Sequence, residues 1–559
     1  MLSSIVVLSA FVAIANSAVL TNRTGVPQGW VIDVDYAVEQ DTNPMNFYFL
    51  LKQDQTGLKI LQQSLLDVSD PKSPNYGNYL DTDTIDEMVI GSYYDKFSTP
   101  IQFLTSEFNC VDWADTLRCS MLPKDLMDRF GGEVRQYVYD ETYRHRVFFG
   151  VTELSDDLAF PVDFTLGLSD FPPMDQLKLP IRRPIGGQGI ITPESIQSLY
   201  NMSHNTDSNT SQSVAEFLND SCVDLSDLYL FETGTGTPNV TVDFVGTCNT
   251  KTPFPDVEGS LDLQFQLGVN PNTHQMYLNI PQWMYAFAQE VYNMHSPPLI
   301  VSMSWGWAEW DQCDGFQCSL NVPSEVYVKR TDIEFMKLGL SGVTLVAASG
   351  DAGAPGRTAE GCGSLNAVFP GSSPYVVSVG ATYVTNATFL QETTTPFCTH
   401  NQCISGGDQL NCHYDATGWT SGSGFSNYSN RPWWQYDAVT GYLASNATFP
   451  PATMWNRDGR AYPDVAVVGH DFLIVNTGNT MLVDGTSAST PTFSAMLGRL
   501  NNLRASQNKT SLGLVGPLLY QMWSDCSDCF TDVTTGSSNS TEETDCTYGY
   551  EATTGFDAV

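Results

Sequence analysis

Basic residues are scarce in this chain: 25 Lys and Arg stand against 62 Asp and Glu in 559 residues, a formal charge of −37 at pH 7. That deficit argues against binding nucleic-acid phosphates or resting on an anionic membrane surface. Histidine is scarcer still. Only His145, His204, His274, His295, His400, His413 and His470 occur, and none lies in a recognisable active-site loop. A serine nucleophile here would have no evident histidine base. The chain also lacks internal repeats, long low-complexity segments and a phosphate-cradling Gly-Lys-Ser/Thr motif. No C-x-x-C pair is matched by a second pair or by His at zinc spacing, so the lone Cys526-x-x-Cys529 reads as a disulfide before a metal site.

What is present is apolar material in quantity, 42% hydrophobic and 12% aromatic residues, enough for two folded units with short appendages. The acidity fits an acidic compartment, where ordinary carboxylates lose charge and self-repulsion relaxes, and it equally fits simple solubility of a secreted protein. Residues 1–17 read as a secretory signal peptide: Ile5 to Ala15 is almost wholly apolar, small residues follow at Asn16-Ser17-Ala18, and the run is too short for a membrane span. No transmembrane anchor is expected. Thirteen cysteines then belong in an oxidising compartment, paired with one left over, Cys110 with Cys119 being the nearest local pair. Ten N-x-S/T sequons, at Asn22, Asn201, Asn209, Asn219, Asn239, Asn386, Asn427, Asn446, Asn508 and Asn539, agree with secretion.

Residues 18–185 read as a small α+β domain, with a strand at Met45 to Leu51, an amphipathic helix at Leu58 to Val68, and strands at Val134 to Tyr139 and Arg146 to Val151. A basic, Pro- and Gly-rich stretch from Lys178 to Gly189 reads as an exposed linker open to proteolysis. From there to residue 559 helical and strand patterns alternate, which predicts an α/β domain with a mainly parallel sheet. Pro298 to Ser304 and Val343 to Ser349 are apolar runs of the buried-strand kind, each leading into a Gly-containing loop where ligands of such sheets sit.

Three features carry chemistry. The turn Asp484-Gly485-Thr486-Ser487-Ala488-Ser489-Thr490-Pro491 runs into a helical pattern. It is an ordinary helix start, and also a position where Ser487 faces developing negative charge above a helix N-terminus. Glu258 and Asp262 are four apart, so on a helix they share a face and can share a proton; a solvated acidic face has the same spacing. Asp351, in Ser349-Gly350-Asp351-Ala352-Gly353, reads either as a turn residue or as a protonated acid able to donate to an oxyanion.

Taken in order, Glu258-Gly-Ser-Leu-Asp262, Ala348-Ser349-Gly350-Asp351-Ala352-Gly353-Ala354 and Gly485-Thr486-Ser487-Ala488-Ser489-Thr490-Pro491 resemble the sedolisins, serine-carboxyl peptidases, and among them the lysosomal tripeptidyl-peptidase branch. Phe369 to Gly380, Ser423-Gly424-Phe425-Ser426 and Gly459 to Val465 resemble the family's framework, and Ser69 to Gly77 its pro-domain. The resemblance implies a subtilisin-like fold and an acid peptidase acting on polypeptides, made as a zymogen for a lysosome or other acidic vacuole, or for secretion. Its own pro-domain would be inhibitor and chaperone, cut away near Arg182 to Gly189. It implies Ser487 as nucleophile, Glu258 as general base and later acid, Asp262 as its proton-sharing partner and Asp351 as oxyanion donor. Trp305 and Gly306 are expected to wall the substrate groove. A structural calcium ion is implied on Asp532, the carbonyls of Val533, Thr547 and Gly549, and the carboxylate of Glu551. Here the chain departs from the family's G-x-G-x-D pattern, reading Thr547-Tyr548-Gly549-Tyr550-Glu551, and Asp484 stands where the family most often has Ser. Release of tripeptides and internal cleavage both remain open. So does a non-catalytic secreted glycoprotein on the same fold.

Overall fold

The aromatic and apolar run Met45–Leu51 is the interior strand of a four-stranded antiparallel sheet, flanked by Thr116–Met121 and Val162–Leu166, with Cys110–Asp112 beyond. A second sheet orders Ser17–Arg23, Tyr143–Ser155, Glu133–Tyr139 and Trp30–Ile32. Phe47, Phe49, Phe108, Leu117 and Phe148 belong to one buried cluster. The expected Cys110–Cys119 disulfide joins adjacent strands. This computed structural model describes residues 17–559 apart from 24, 92, 140–142, 173–180, 184–188, 203–209, 218–221, 249–254, 315–317, 319–321, 357–361 and 541–545. The leader, most of the linker, and the sequons at Asn209 and Asn219 lie outside the described residues.

The chain divides into two compact units. The first takes its residues from Met1–Asp54, Ile90–Phe171 and Phe316–Val322, the second from Gln55–Val89, Pro172–Gly315 and Pro323–Val559. By sequence the segment 55–89 belongs with the N-terminal domain; by packing it is part of the second unit. In chain order that unit contains helices α1 (Gln55–Ser69) and α2 (Thr82–Ile90), strands β1 (Ser211–Phe217) and β2 (Val242–Gly246), helix α3 (Val257–Val269), strands β3 (His274–Ile280) and β4 (Ile300–Met303), helix α4 (Ser324–Leu340), strands β5 (Thr344–Ala348), β6 (Val377–Phe389), β7 (Ile404–Asn411), β8 (Val465–Val468), β9 (Phe472–Asn476) and β10 (Asn479–Asp484), and helix α5 (Thr486–Ser506). The stripe Leu61, Leu65 and Val68 buries one face of α1, and the backbone of α4 at Gly339 comes close enough that a Cβ there would lie 3.1 Å from Leu65 Cδ1.

The sheet runs β2-β3-β1-β4-β5-β6-β7, with β8 also paired to β6. All pairings are parallel except β6 with β7. Strands β4 and β5 are wholly buried, which explains their unbroken small and apolar sequences. Helix α5 packs across them, sharing a cluster of Leu497 with Ile300, Val346, Val377, Val379 and Val467. Helix α3 is buried at every position but Glu258, so it shows no amphipathic stripe. Among the described residues no helix is long and apolar enough to cross a membrane.

Candidate active site

Helix α3 begins at Asp256, whose side chain accepts hydrogen bonds from the N–H groups of Glu258 (3.0 Å) and Gly259 (2.9 Å). This cap sets the helix start one turn before Asp262 and aligns Glu258 and Asp262 on one face. Asp262 is fully buried, and its Oδ1 accepts from Ser304 Oγ at 2.8 Å. The same hydroxyl lies 3.4 Å from the carbonyl oxygen of Ser487, so the loop after β4 bridges α3 and α5. Burial, then the neighbouring charge of Glu258, raises the Asp262 carboxyl well above the ordinary range, with the Ser304 bond opposing.

Helix α5 starts without a side chain of its own as cap. Gly485 has φ 145°, a conformation open to glycine, and a Cβ there would lie 3.2 Å from Asp351 Oδ2. Asp351 serves instead: its Oδ1 accepts from Thr486 N–H and from Thr486 Oγ, each at 2.7 Å. Thr486 Oγ in turn accepts from Gly350 N–H at 3.2 Å. The Asp351 loop is held by Gly422 N–H to Gly350 O (2.6 Å) and Gly353 N–H to Thr420 O (3.0 Å). Ser487, the second helical residue, is 6% exposed. Asp262, through Ser304, therefore reaches the helix start from one direction and Asp351 from another.

Sequence reasoning missed Glu216, near the end of β1. It is fully buried and accepts from Trp305 Nε1 at 2.8 Å. Its carboxyl is raised well above the ordinary range by burial, then by the charges of Asp256, Asp262 and Glu258, so it belongs to the same acid cluster. The one available signal was a charged residue inside the strand sequence Ser-Val-Ala-Glu-Phe. Trp305 is 8% exposed, its ring against Phe217 and Trp307, so its indole is turned inward onto Glu216. Gly306 is there for close approach: a Cβ would lie 2.6 Å from Val368 Cγ1 and 3.1 Å from Phe369 O.

At the C-terminal end, the stretches around 532–538 and 547–551 run side by side, with Ser538 N–H on Tyr550 O and Ala552 N–H on Gly536 O. Asp532 Oδ2 accepts from Gly555 N–H (3.0 Å) and Glu551 Oε2 from Thr448 N–H (2.7 Å). Each carboxylate uses one oxygen in these bonds, and the donor set is all oxygen, which fits calcium. Asp557 faces Asp532, and burial pushes its carboxyl up to about 8.

Residues 35–96 match the Pro-kumamolisin activation domain and residues 269–512 the subtilase family. The chain is 34% identical over 528 residues to physarolisin of Physarum polycephalum, covering 90% of this chain and 89% of that protein. It is 31% identical over 527 residues to tripeptidyl-peptidase 1 of Homo sapiens, covering 89% and 86%. Among solved structures, a Pseudomonas sedolisin (serine-carboxyl proteinase) complexed with pseudo-iodotyrostatin matches at 22% identity with a TM-score of 0.49, covering 67% of this chain and 94% of that one.

Proposed function

The chain belongs to the sedolisin family of serine-carboxyl peptidases, and from that membership we propose that it is an acid peptidase releasing tripeptides from free N-termini, with Ser487, Glu258, Asp262 and Asp351 as its catalytic groups. It is a peptidase with a zymogen activation domain ahead of a subtilisin-like domain. The observation that carries the assignment is the convergence on the start of α5: Asp351 accepts from Thr486, and Ser304, which donates to Asp262, lies 3.4 Å from the Ser487 carbonyl oxygen. Glu258 takes the Ser487 hydroxyl proton as Oγ attacks the scissile carbonyl, with Asp262 sharing the charge that Glu258 gains. Asp351, oriented by its two bonds from Thr486, donates to the oxyanion. Glu258 then protonates the leaving amine, and water cleaves the acyl-enzyme by the reverse sequence. Activity belongs to acid pH, and its limits belong to the coupled acids together.

The tripeptidyl reading is supported by the mammalian relatives' name. A digest of one unstructured protein at pH 4, read by mass, tests it. The expected product is a ladder of tripeptides from the N-terminus, abolished by N-terminal acetylation; internal fragments that survive acetylation would make it an endopeptidase. The pro-domain, residues 18–185, is read as inhibitor and chaperone, removed on acidification by a cut near Arg182 to Gly189 in a route through the secretory pathway to an acidic vacuole. Full activity from uncut protein at pH 4 would refute that. Asp532, the carbonyls of Val533, Thr547 and Gly549, and Glu551 would hold a calcium ion that ties the C-terminal stretches together without entering the reaction. Chelation is expected to lower the melting temperature, and added calcium to restore it.

A further inference from the structure

Directly before the nucleophile turn lies a buried cluster that this chemistry does not use. Strand β10 ends on Asp484, whose Oδ1 accepts from Asp471 N–H at 2.7 Å and lies 3.1 Å from His470 Nδ1. His470 Nε2 is 3.7 Å from Asp471 Oδ2. All three side chains are buried. His470 and Asp471, with Gly469, form the short connection between β8 and β9. Asp471 has φ +66°, a backbone state that a residue with a side chain keeps only where its surroundings impose it.

The same connection is the seat of the turn that carries Ser487. Gly485 N–H donates to Gly469 O at 2.9 Å, and Ser489 Oγ to Val467 O at 3.0 Å. A Cβ on Gly469 would come within 2.5 Å of Ser489 Oγ and 2.7 Å of Gly485 O, so the two segments touch without slack. The other face of the connection is also pinned, by Gly469 N–H on Thr382 O (2.9 Å) and Ile191 N–H on Asp471 O (2.8 Å). Among the described residues, Asp484 on β10, Asp471 in its own loop and the Tyr383 ring on β6, 6.4 Å between centroids, face the imidazole.

We propose that Asp484 and His470 are positioning residues for Ser487: their buried contact holds the Gly469–Asp471 connection under Gly485 and so fixes where Ser487 stands relative to Asp351 and Glu258. The inference rests on Ser487 being the nucleophile. A buried carboxylate that accepts from a backbone N–H and meets an imidazole is a strong tie, and a small misplacement of a nucleophile costs turnover more than binding.

The test compares mature wild type with Asp484→Asn, His470→Gln and the double variant. Each single variant is expected to lower kcat at pH 4 about tenfold with KM within about twofold, and the double to be no worse than the more severe single. Wild-type kcat in both single variants, a loss carried by KM with kcat unchanged, or losses that multiply in the double would each overturn the proposal. If Asp484→Asn does not fold, His470→Gln decides alone, and a wild-type kcat there overturns the proposal. Ser487→Ala run alongside separates the two readings: retained turnover there refutes the nucleophile assignment, whereas its loss beside unaffected pair variants refutes only the positioning role.

Discussion

The two hydrogen bonds from Thr486 fall on one oxygen of Asp351. Oδ1 takes both bonds and so orients the carboxyl against the start of α5, the placement that an oxyanion donor would need. Asp351→Ala is expected to lower kcat by about two to three powers of ten with KM little changed, read by steady-state kinetics at pH 4. Ser487→Ala is expected to abolish turnover while the circular dichroism and melting temperature stay those of wild type. A wild-type rate in either variant would remove that residue from the mechanism. The pair Glu258 and Asp262 was legible because four-residue spacing on a helix fixes their mutual approach. Glu216 was not, because its partner Trp305 lies 89 residues away in the chain and meets it only when β1 and β4 pair.

Between the acids and the serine stand backbones packed too closely for added atoms. The loop that carries Ser304 continues into Gly306, pressed against Val368 and Phe369 where Trp307 and Phe369 pair antiparallel. Gly306→Ala would set a methyl 2.6 Å from Val368 Cγ1. The substitution is expected to destabilise the second unit by about 1–3 kcal/mol, seen as a lower melting temperature, and to lower kcat by displacing Ser304. An unchanged melting temperature would mean that the loop yields freely. Most of α1, Leu58 to Val68 of Gln55–Ser69, was readable from apolar periodicity, and β5 from an unbroken apolar run. The membership of α1 in the second unit was not, since Leu61 and Leu65 announce a buried face without naming what covers it.

The two units respond to acid with opposite signs. In the second, burial raises Asp332 to about 7, against the Ser373 bond and with Glu309 adding, and Asp262, Glu216 and Glu309 are raised as well. A carboxyl whose folded pKa lies above its unfolded value stabilises the fold below the unfolded value, near 4, and that contribution is lost as pH climbs through the folded one. For Asp332 the difference is on the order of 4 kcal/mol between pH 4 and 7. The mature enzyme is expected to melt highest in acid and lower toward neutrality, and Asp332→Asn to flatten that decline; a melting temperature that rises from pH 4 to 7 would contradict this. In the first unit His145 is depressed to about 4 by burial, with the Asp170 carbonyl opposing and Arg146 adding. That stability is present above about 6.5 and is lost as pH falls to 4. His145→Gln is expected to move autoprocessing to a lower pH, followed by gel mobility across a pH series; processing at the wild-type pH would show that His145 does not set it.

Much of this protein is written in local pattern. Strand and helix periods and the ordered motifs around Glu258, Asp351 and Ser487 are set by neighbours a few residues apart, and short-range sterics and hydrogen bonding make them readable in the chain. Tertiary packing decided the rest. Glu216 joins the acids and Trp305 turns inward through contacts between strands far apart in sequence. Burial, which raises the Glu216 and Asp262 carboxyls, is a property of the closed fold: it depends on which surfaces meet, and a linear order of residues does not carry that information.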